Sequence, residues 1–368
     1  MNIVLSLFYF AYFALVGVYI VFVPTALLDF GYTKFEIGII GSSAPFMRFL
    51  LPFLFKHYIE LTYNVYKLSL LLTFSGATIF LFTVENFWIY LLSNLLFGAA
   101  MGVILPFVET IALEVLNKKV YGKIRLWGSI GFILVVLILG KLNVDSITTL
   151  YFLSAMAFFT LLFGYFIVRY ENHLEKREEE ENAASFSLQK YWAFWVSIFL
   201  MQVAFGGFYT FFTIYGEEQG FSSSLVSYLW SFGVICEIVM LYFQGPLLQR
   251  NLLTILKAAT LITAFRWLLL YLYPSSLLLT FLGQSMHAVS FALYHTAAIT
   301  YVFSLYSQKR LAQQFFLGIS FGLGGSFGAF IAGFIYGEYL FLVESLIAVA
   351  AFIMLLVHTA RKNQQNSN

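Results

Sequence analysis

The chain has 368 residues, is 61% hydrophobic and only 10% charged, and has a mean hydropathy of +0.86. Soluble domains are about 45–50% apolar and about 25% charged, so a globule in water could not hide this much apolar surface, and the expected solvent is the bilayer. The formal net charge of +2, with no basic stripe or RNA-binding motif, excludes nucleic acid as an expected partner. The one cysteine, Cys236, excludes an internal disulfide and a cysteine-based metal cluster.

A membrane-spanning helix needs about 20 apolar residues. Twelve stretches qualify: 3–28, 36–56, 66–84, 87–116, 122–141, 147–169, 191–215, 223–244, 252–273, 276–305, 311–336 and 340–359. The first lacks a basic leader and a small-x-small cleavage site and is too long for a signal peptide, so it is expected to be a retained membrane helix. The segment 170–190, with its run Glu178–Glu181, is polar and divides the spans six and six. It is expected to be a solvated cytoplasmic linker between an N-terminal six-helix bundle (1–169) and a C-terminal six-helix bundle with a short tail (191–368).

Charge placement agrees with twelve spans. Fifteen of the twenty Lys and Arg fall in connections on the side of the even-numbered span ends or in the tail; Lys34 and Lys141 lie on the other side. By the positive-inside rule both termini and the linker face the cytoplasm, and the chain is expected in the inner membrane. The two halves also echo each other. Aligning 29–48 with 218–237 pairs Asp29 with Glu218, Gly31 with Gly220, Tyr32 with Phe221, and Arg48 with Glu237. A second alignment sets the Gly98/Met101 pair against Gly283/Met286. Two homologous halves around a midplane site are the plan of an alternating-access carrier.

The remaining ionisable residues singled out within spans are Arg48, Glu109, Arg125, Glu237, Arg266, His287 and His295. A charge at a helix centre costs about 2.5–3.5 kcal/mol on insertion scales, so each needs a partner or a task. Glu109 follows Pro106 in a glycine-rich span and suits a substrate or proton site, or a structural ion pair. Arg125 offers a planar fork of donors to an anionic or hydroxylated solute; it is also close enough to Lys123 to be ordinary cytoplasmic charge. Glu237 sits among Val234, Ile235, Ile238 and Val239. Arg48 could pair with it or form part of a gate, and Arg266 could bind solute or form an interhelical salt bridge. His287, Ser290, Phe291 and Tyr294 have spacings that put them on one face of an α-helix, with His295 rotated off it. A histidine there suits proton handling or a satisfied interior position. Aromatic residues crowd the seventh span (Tyr209, Phe211, Phe212, Tyr215), as a wall for a ring-bearing solute or as packing. No phosphate loop is present, so ATP is not the expected energy source.

The motifs YGKIRLWGSIGF (121–132), FYTFFTIYGEEQGFSSSLVSYLWSFGVICE (208–237), FRW (265–267) and HAVSFALYHTAA (287–298) resemble the major facilitator superfamily. They look most like its phenylpropionate-permease branch, with lactose permeases as more distant relatives. The resemblance extends over the whole chain. It implies an all-α integral membrane fold of two pseudo-symmetric six-helix bundles and a secondary active transporter rather than an enzyme. It implies substrate contacts at Glu109, Arg125, Phe132 and Glu237, and proton-coupling or ion-pair roles at Glu109, Glu237, Arg266 and His287; the helix-face spacing adds Tyr294 to the expected substrate contacts, and its place in the second span adds Arg48 to the expected ion pairs. The chain departs from the pattern in three places. Ser290 stands where a carboxylate follows the tenth-span histidine. Phe205–Phe208 replaces an acidic pair in the seventh span. The loop between the second and third spans reads FKHYIELTYNVYK instead of the family signature. The expected solute is an aromatic acid, a sugar or a nucleoside. No cofactor is expected, the expected coupling ion is a proton, and the expected state is a monomer whose other partner is membrane lipid. An uncoupled facilitator and a transport-inactive sensor on a carrier scaffold are the alternatives.

Overall fold

The structure, a computed structural model, describes residues 1–57, 62–167 and 187–367. The predicted linker up to residue 186, and residues 58–61 of the loop between the second and third spans, lie outside the described residues. Regular structure among the described residues is helical throughout. Twelve helices among the described residues are long and apolar enough to cross a membrane. We number them α1 (Asn2–Asp29), α2 (Lys34–Leu54), α3 (Tyr63–Thr83), α4 (Phe87–Val115), α5 (Val120–Leu142), α6 (Ser146–Ile167), α7 (Gln189–Glu218), α8 (Ser223–Phe243), α9 (Leu252–Leu272), α10 (Leu277–Leu305), α11 (Leu311–Ile335) and α12 (Leu340–Gln364). Each coincides with a predicted span to within a few residues. Large apolar side chains such as Phe82, Trp88, Leu278 and Phe334 lie on the outside, as expected where lipid replaces water.

Polar residues define the helix ends. Asn86, Asn117 and Asn251 accept the N–H of Ile89, Val120 and Thr254 and so satisfy free donors of the first turns of α4, α5 and α9. Asp145 does the same for Thr148 at the start of α6, and that N–H holds its carboxyl below the usual range. The two loops paired by sequence share one geometry. Gly31 and Gly220 have φ of 91° and 86°. In each loop the glycine N–H returns to the carbonyl three residues back, and the N–H of Tyr32 or Phe221 to the carbonyl five back. This is the left-handed helix stop that glycine permits.

Several spans are interrupted. α1 breaks at Phe22 before Pro24, and α7 breaks at Ala204–Phe205 before resuming at Gly206. α10 and α11 contain π-helical stretches, Ala288–Leu293 and Gly318–Gly324. Interruptions of this kind free backbone groups and recur at functional sites.

Packing divides the chain into two compact units, Met1–Glu178 with Thr210–Ser231, and Glu179–Tyr209 with Phe232–Asn368. The hairpin of Thr210–Ser231 therefore belongs by sequence to the last six helices and by packing to the first unit. In that unit, Lys34 pairs with Glu218 at 2.6 Å, and the Ser224 hydroxyl donates to the Gly140 carbonyl at 2.7 Å. α1 packs so closely on α5 that a Cβ at Gly131 would overlap the Phe10 backbone. Asn94 is fully buried between α1 and α2, accepting from the Tyr19 hydroxyl and donating to the Ile40 carbonyl and the Ser43 hydroxyl. Such amide bridges hold helices together where apolar burial gives no net attraction. In the second unit α12 packs against α7 and α9, and Gly206 meets the backbone of Gly328 in α11.

Candidate functional site

Each unit contains its own polar cluster. In the first, Glu109 of α4 and Arg125 of α5 form a salt bridge of 2.9 Å, both side chains about one-third exposed. The Arg125 guanidinium lies 4.1 Å from the Phe13 ring centroid and 5.3 Å from that of Tyr9. Gly128, one turn on, leaves the space: a Cβ there would sit 3.0 Å from Arg125 Nη1 and 2.7 Å from the Phe13 ring. Tyr121 also reaches both charged groups. The Tyr9 hydroxyl beside them is buried and has no hydrogen-bond partner among the described residues. The cluster can therefore present a carboxylate, a guanidinium, a spare hydroxyl and aromatic faces to one solute. Phe132 is buried and packs against Gly17 of α1. Arg48 is exposed, forms no salt bridge among the described residues, and lies along Gly102 of α4.

In the second unit the centre is Arg266 of α9, 1% exposed. Its Nη1 donates to His287 Nδ1 at 3.0 Å and to the Ser290 hydroxyl at 3.2 Å, and its Nη2 donates to Gln284 Oε1 at 3.0 Å. A guanidinium only donates, so Nδ1 of His287 has to accept, and the neutral ring carries its proton on Nε2. That nitrogen faces Glu237 Oε2 at 3.8 Å. Phe208 and Trp267 flank the guanidinium at 4.4 and 4.3 Å, and Phe205 lies at 5.8 Å. None of the three direct hydrogen-bond partners is anionic, and no carboxylate forms a salt bridge with Arg266 among the described residues. A buried cation with neutral partners is expensive, and the aromatic faces offset only part of that cost.

The structure thus brings together Glu109 with Arg125, and His287 with both Arg266 and Glu237. It alters the reading of α10. The π stretch carries more than four residues per turn, so the aligned row becomes His287, Phe291 and His295 instead of His287, Phe291 and Tyr294. The His287 and Phe291 rings stack at 5.0 Å with 3° between planes, and Phe291 and His295 follow at 6.3 Å and 20°. Tyr294 is buried and lines a void of about 20 Å³, room for about one water. That void is bordered by both π stretches, through Ser290 and Phe291 and through Ser320 and Phe321. Of the α7 aromatics, Phe211 and Phe212 are core residues, while Tyr209 lies near Phe291.

Sequence reasoning missed Gln284, Asn94, Tyr9 and above all Glu344. Glu344 lies in the apolar run FLVESLIA of α12, is 2% exposed, and accepts the backbone N–H of Gly207 at the break in α7. The span of Phe205–Phe208 that lacks its own acidic pair is thus met by a carboxyl from another helix. The signal was present: one ionisable residue in an otherwise apolar run.

Membrane-length helices that carry charged side-chain clusters in both units fit a membrane solute transporter. The chain belongs to the MFS_1 like family, whose model matches residues 2–345. It is 26% identical over 371 residues to the "Probable 3-phenylpropionic acid transporter" of Escherichia coli (strain K12), covering 95% of this chain and 96% of that one. It is 24% identical to the uncharacterized transporter YwbF of Bacillus subtilis (strain 168), over 76% of this chain and 73% of that one. Among solved structures, the nucleoside transporter NupG superposes with a TM-score of 0.79 at 18% identity, over 97% of this chain and 98% of that one. The POT family transporter PepTSo does so with 0.76 at 10% identity, over 99% and 98%. These structures share the fold, which is that of the major facilitator transporters.

Proposed function

We propose that the protein is a secondary carrier for a small aromatic acid, moved across the inner membrane by alternating access and coupled to protons. The observation that carries this reading is Arg266: a buried guanidinium with three neutral hydrogen-bond partners, walled by Phe205, Phe208 and Trp267. An anionic solute with a ring supplies the missing charge and an apolar body for the wall. A carboxylate on a guanidinium makes the charge-assisted pairing that arginine forms best. The relative whose name refers to 3-phenylpropionic acid agrees with this choice over a sugar or nucleoside. Glu109, Arg125 and Tyr9 form a separate polar cluster for solute within the first unit, and Glu237 orients His287, which orients Arg266. Phe132 and Tyr294 act through packing beside these groups. The distribution of Lys and Arg supports a cytoplasmic side for both termini, and in this reading one copy of the chain is sufficient for the cycle.

Ser290 in place of a carboxylate favours a second reading, an uncoupled facilitator with the same solute. A thermal-shift series on the purified protein tests the solute. 3-Phenylpropionate is expected to raise the melting temperature, as ligands that bind only the folded state do, and uridine and lactose to leave it unchanged. A shift with uridine or lactose alone would overturn the aromatic-acid reading. Uptake into proteoliposomes with and without an imposed pH gradient separates the coupled from the uncoupled carrier.

A further inference from the structure

Glu344 has no part in the solute contacts described above, yet its surroundings are built. Its Oε1 accepts the N–H of Gly207, the second residue of the half-helix Gly206–Glu218. That N–H is one of the donors a helix start leaves free, at the positive end of the helix dipole. A Cβ at position 207 would stand 2.7 Å from Oε1 and 3.0 Å from Cδ of Glu344, so only glycine lets the carboxyl seat there. The second oxygen, Oε2, has no hydrogen-bond partner among the described residues, and neither has Nε of Arg266. No salt bridge joins Glu344 to Arg266 among the described residues, and the ring of Phe208, the residue after Gly207, lies 4.4 Å from the Arg266 guanidinium. The other neighbours of α12 contribute uncharged groups: the Ser345 hydroxyl donates to the Ala264 carbonyl of α9, and the Ser197 hydroxyl of α7 donates to the Ala351 carbonyl.

We infer that Glu344 carries the coupled proton, as a neutral carboxylic acid while Arg266 holds the solute anion and as a carboxylate matched to Arg266 once the anion has left. This rests on the carrier reading above. The only bond that breaks is the carboxyl O–H; its proton leaves to water on the side where the solute is released, and a proton from the opposite side restores the acid. Two anions compete for one guanidinium, so a proton on Glu344 favours solute on Arg266, and by linkage the reverse holds equally. His287 is a poor alternative carrier, because a proton on Nδ1 would face the Arg266 N–H it now accepts.

Infrared difference spectroscopy of the purified protein in lipid, titrated with pH in the absence of any solute, tests the group directly. The wild type is expected to show a protonated carboxylic C=O band that titrates and is absent from Glu344→Gln; a band unchanged in that variant overturns the assignment. Gly207→Ala, which crowds the seat without removing the acid, is expected to move the midpoint of that titration, and an unmoved midpoint counts against it. In proteoliposomes loaded with 3-phenylpropionate, Glu344→Gln is expected to keep counterflow exchange and to lose at least about tenfold of the accumulation driven by a pH gradient. Accumulation equal to wild type overturns the role. Absent counterflow in the wild type would instead reject the solute, while the solute-free infrared titration still decides Glu344.

Discussion

Arg266 makes hydrogen bonds to three uncharged side chains, so adding a charge beside it should matter more than removing a bond. Ser290→Asp would place a carboxylate near Nη1, which now donates to the hydroxyl at 3.2 Å. The new anion is expected to occupy the guanidinium and to weaken binding of 3-phenylpropionate by at least about tenfold, measured by counterflow or calorimetry, since charge-assisted bonds are worth about 1.5–3 kcal/mol. Ser290→Ala removes one neutral bond, and its cost in stability is expected to stay near 1 kcal/mol. In the first unit, Glu109→Gln keeps the shape and removes the charge facing Arg125 at 2.9 Å. Substrate exchange is expected to fall by about tenfold or more, on the same scale of bond energies; exchange equal to wild type would remove Glu109 from the site. Charges in apolar runs were the legible part at this scale, because the bilayer makes each of them costly. Which charges meet was not legible. Nothing in the spacing of Gly207 and Glu344 announces that a carboxyl of α12 reaches the backbone of α7.

At the scale of elements, glycine determines how closely helices approach. A Cβ at Gly131 would overlap the Phe10 backbone between α5 and α1, and one at Gly206 would overlap Gly328 between α7 and α11. Backbone cannot move aside as a side-chain tip can, so Gly131→Ala and Gly206→Ala are each expected to cost about 1–3 kcal/mol, the usual range for overpacking. A lowered melting temperature on thermal unfolding in detergent checks this. Gly122→Ala, where a Cβ meets nothing within 4 Å, is the control and should not lower it. Helix existence was readable from the length of apolar runs, and the loop glycines Gly31 and Gly220 were readable as a repeated pair. The π stretches were not. An α-periodic reading of α10 places Tyr294 on the His287 face, and the wider turn substitutes His295. Periodicity in sequence assumes one helix type, and a local change in residues per turn rotates everything after it.

For the molecule as a whole, the hairpin of Thr210–Ser231 is the segment to test. It is held in the first unit by Lys34–Glu218 and by Ser224 on the Gly140 carbonyl. A carrier that alternates must release contacts of this kind during its cycle. Joining positions 34 and 218 in a Lys34→Cys/Glu218→Cys variant with a reducible bifunctional thiol cross-linker is expected to abolish exchange in proteoliposomes and a reductant to restore it; transport that continues with the link formed would show that these ends do not separate. The sequence by itself determined the twelve helices and singled out several charges within them, Arg266 and His287 among the buried ones, because each follows from the cost of placing polar groups in hydrocarbon. Only the tertiary structure decided the pairings: Glu109 with Arg125, Arg266 with neutral partners, Glu344 on a free helix N–H, and the hairpin with the first unit. Pairings depend on helix rotation and approach distance, which are set by side chains that are all apolar and, in a linear reading, nearly interchangeable.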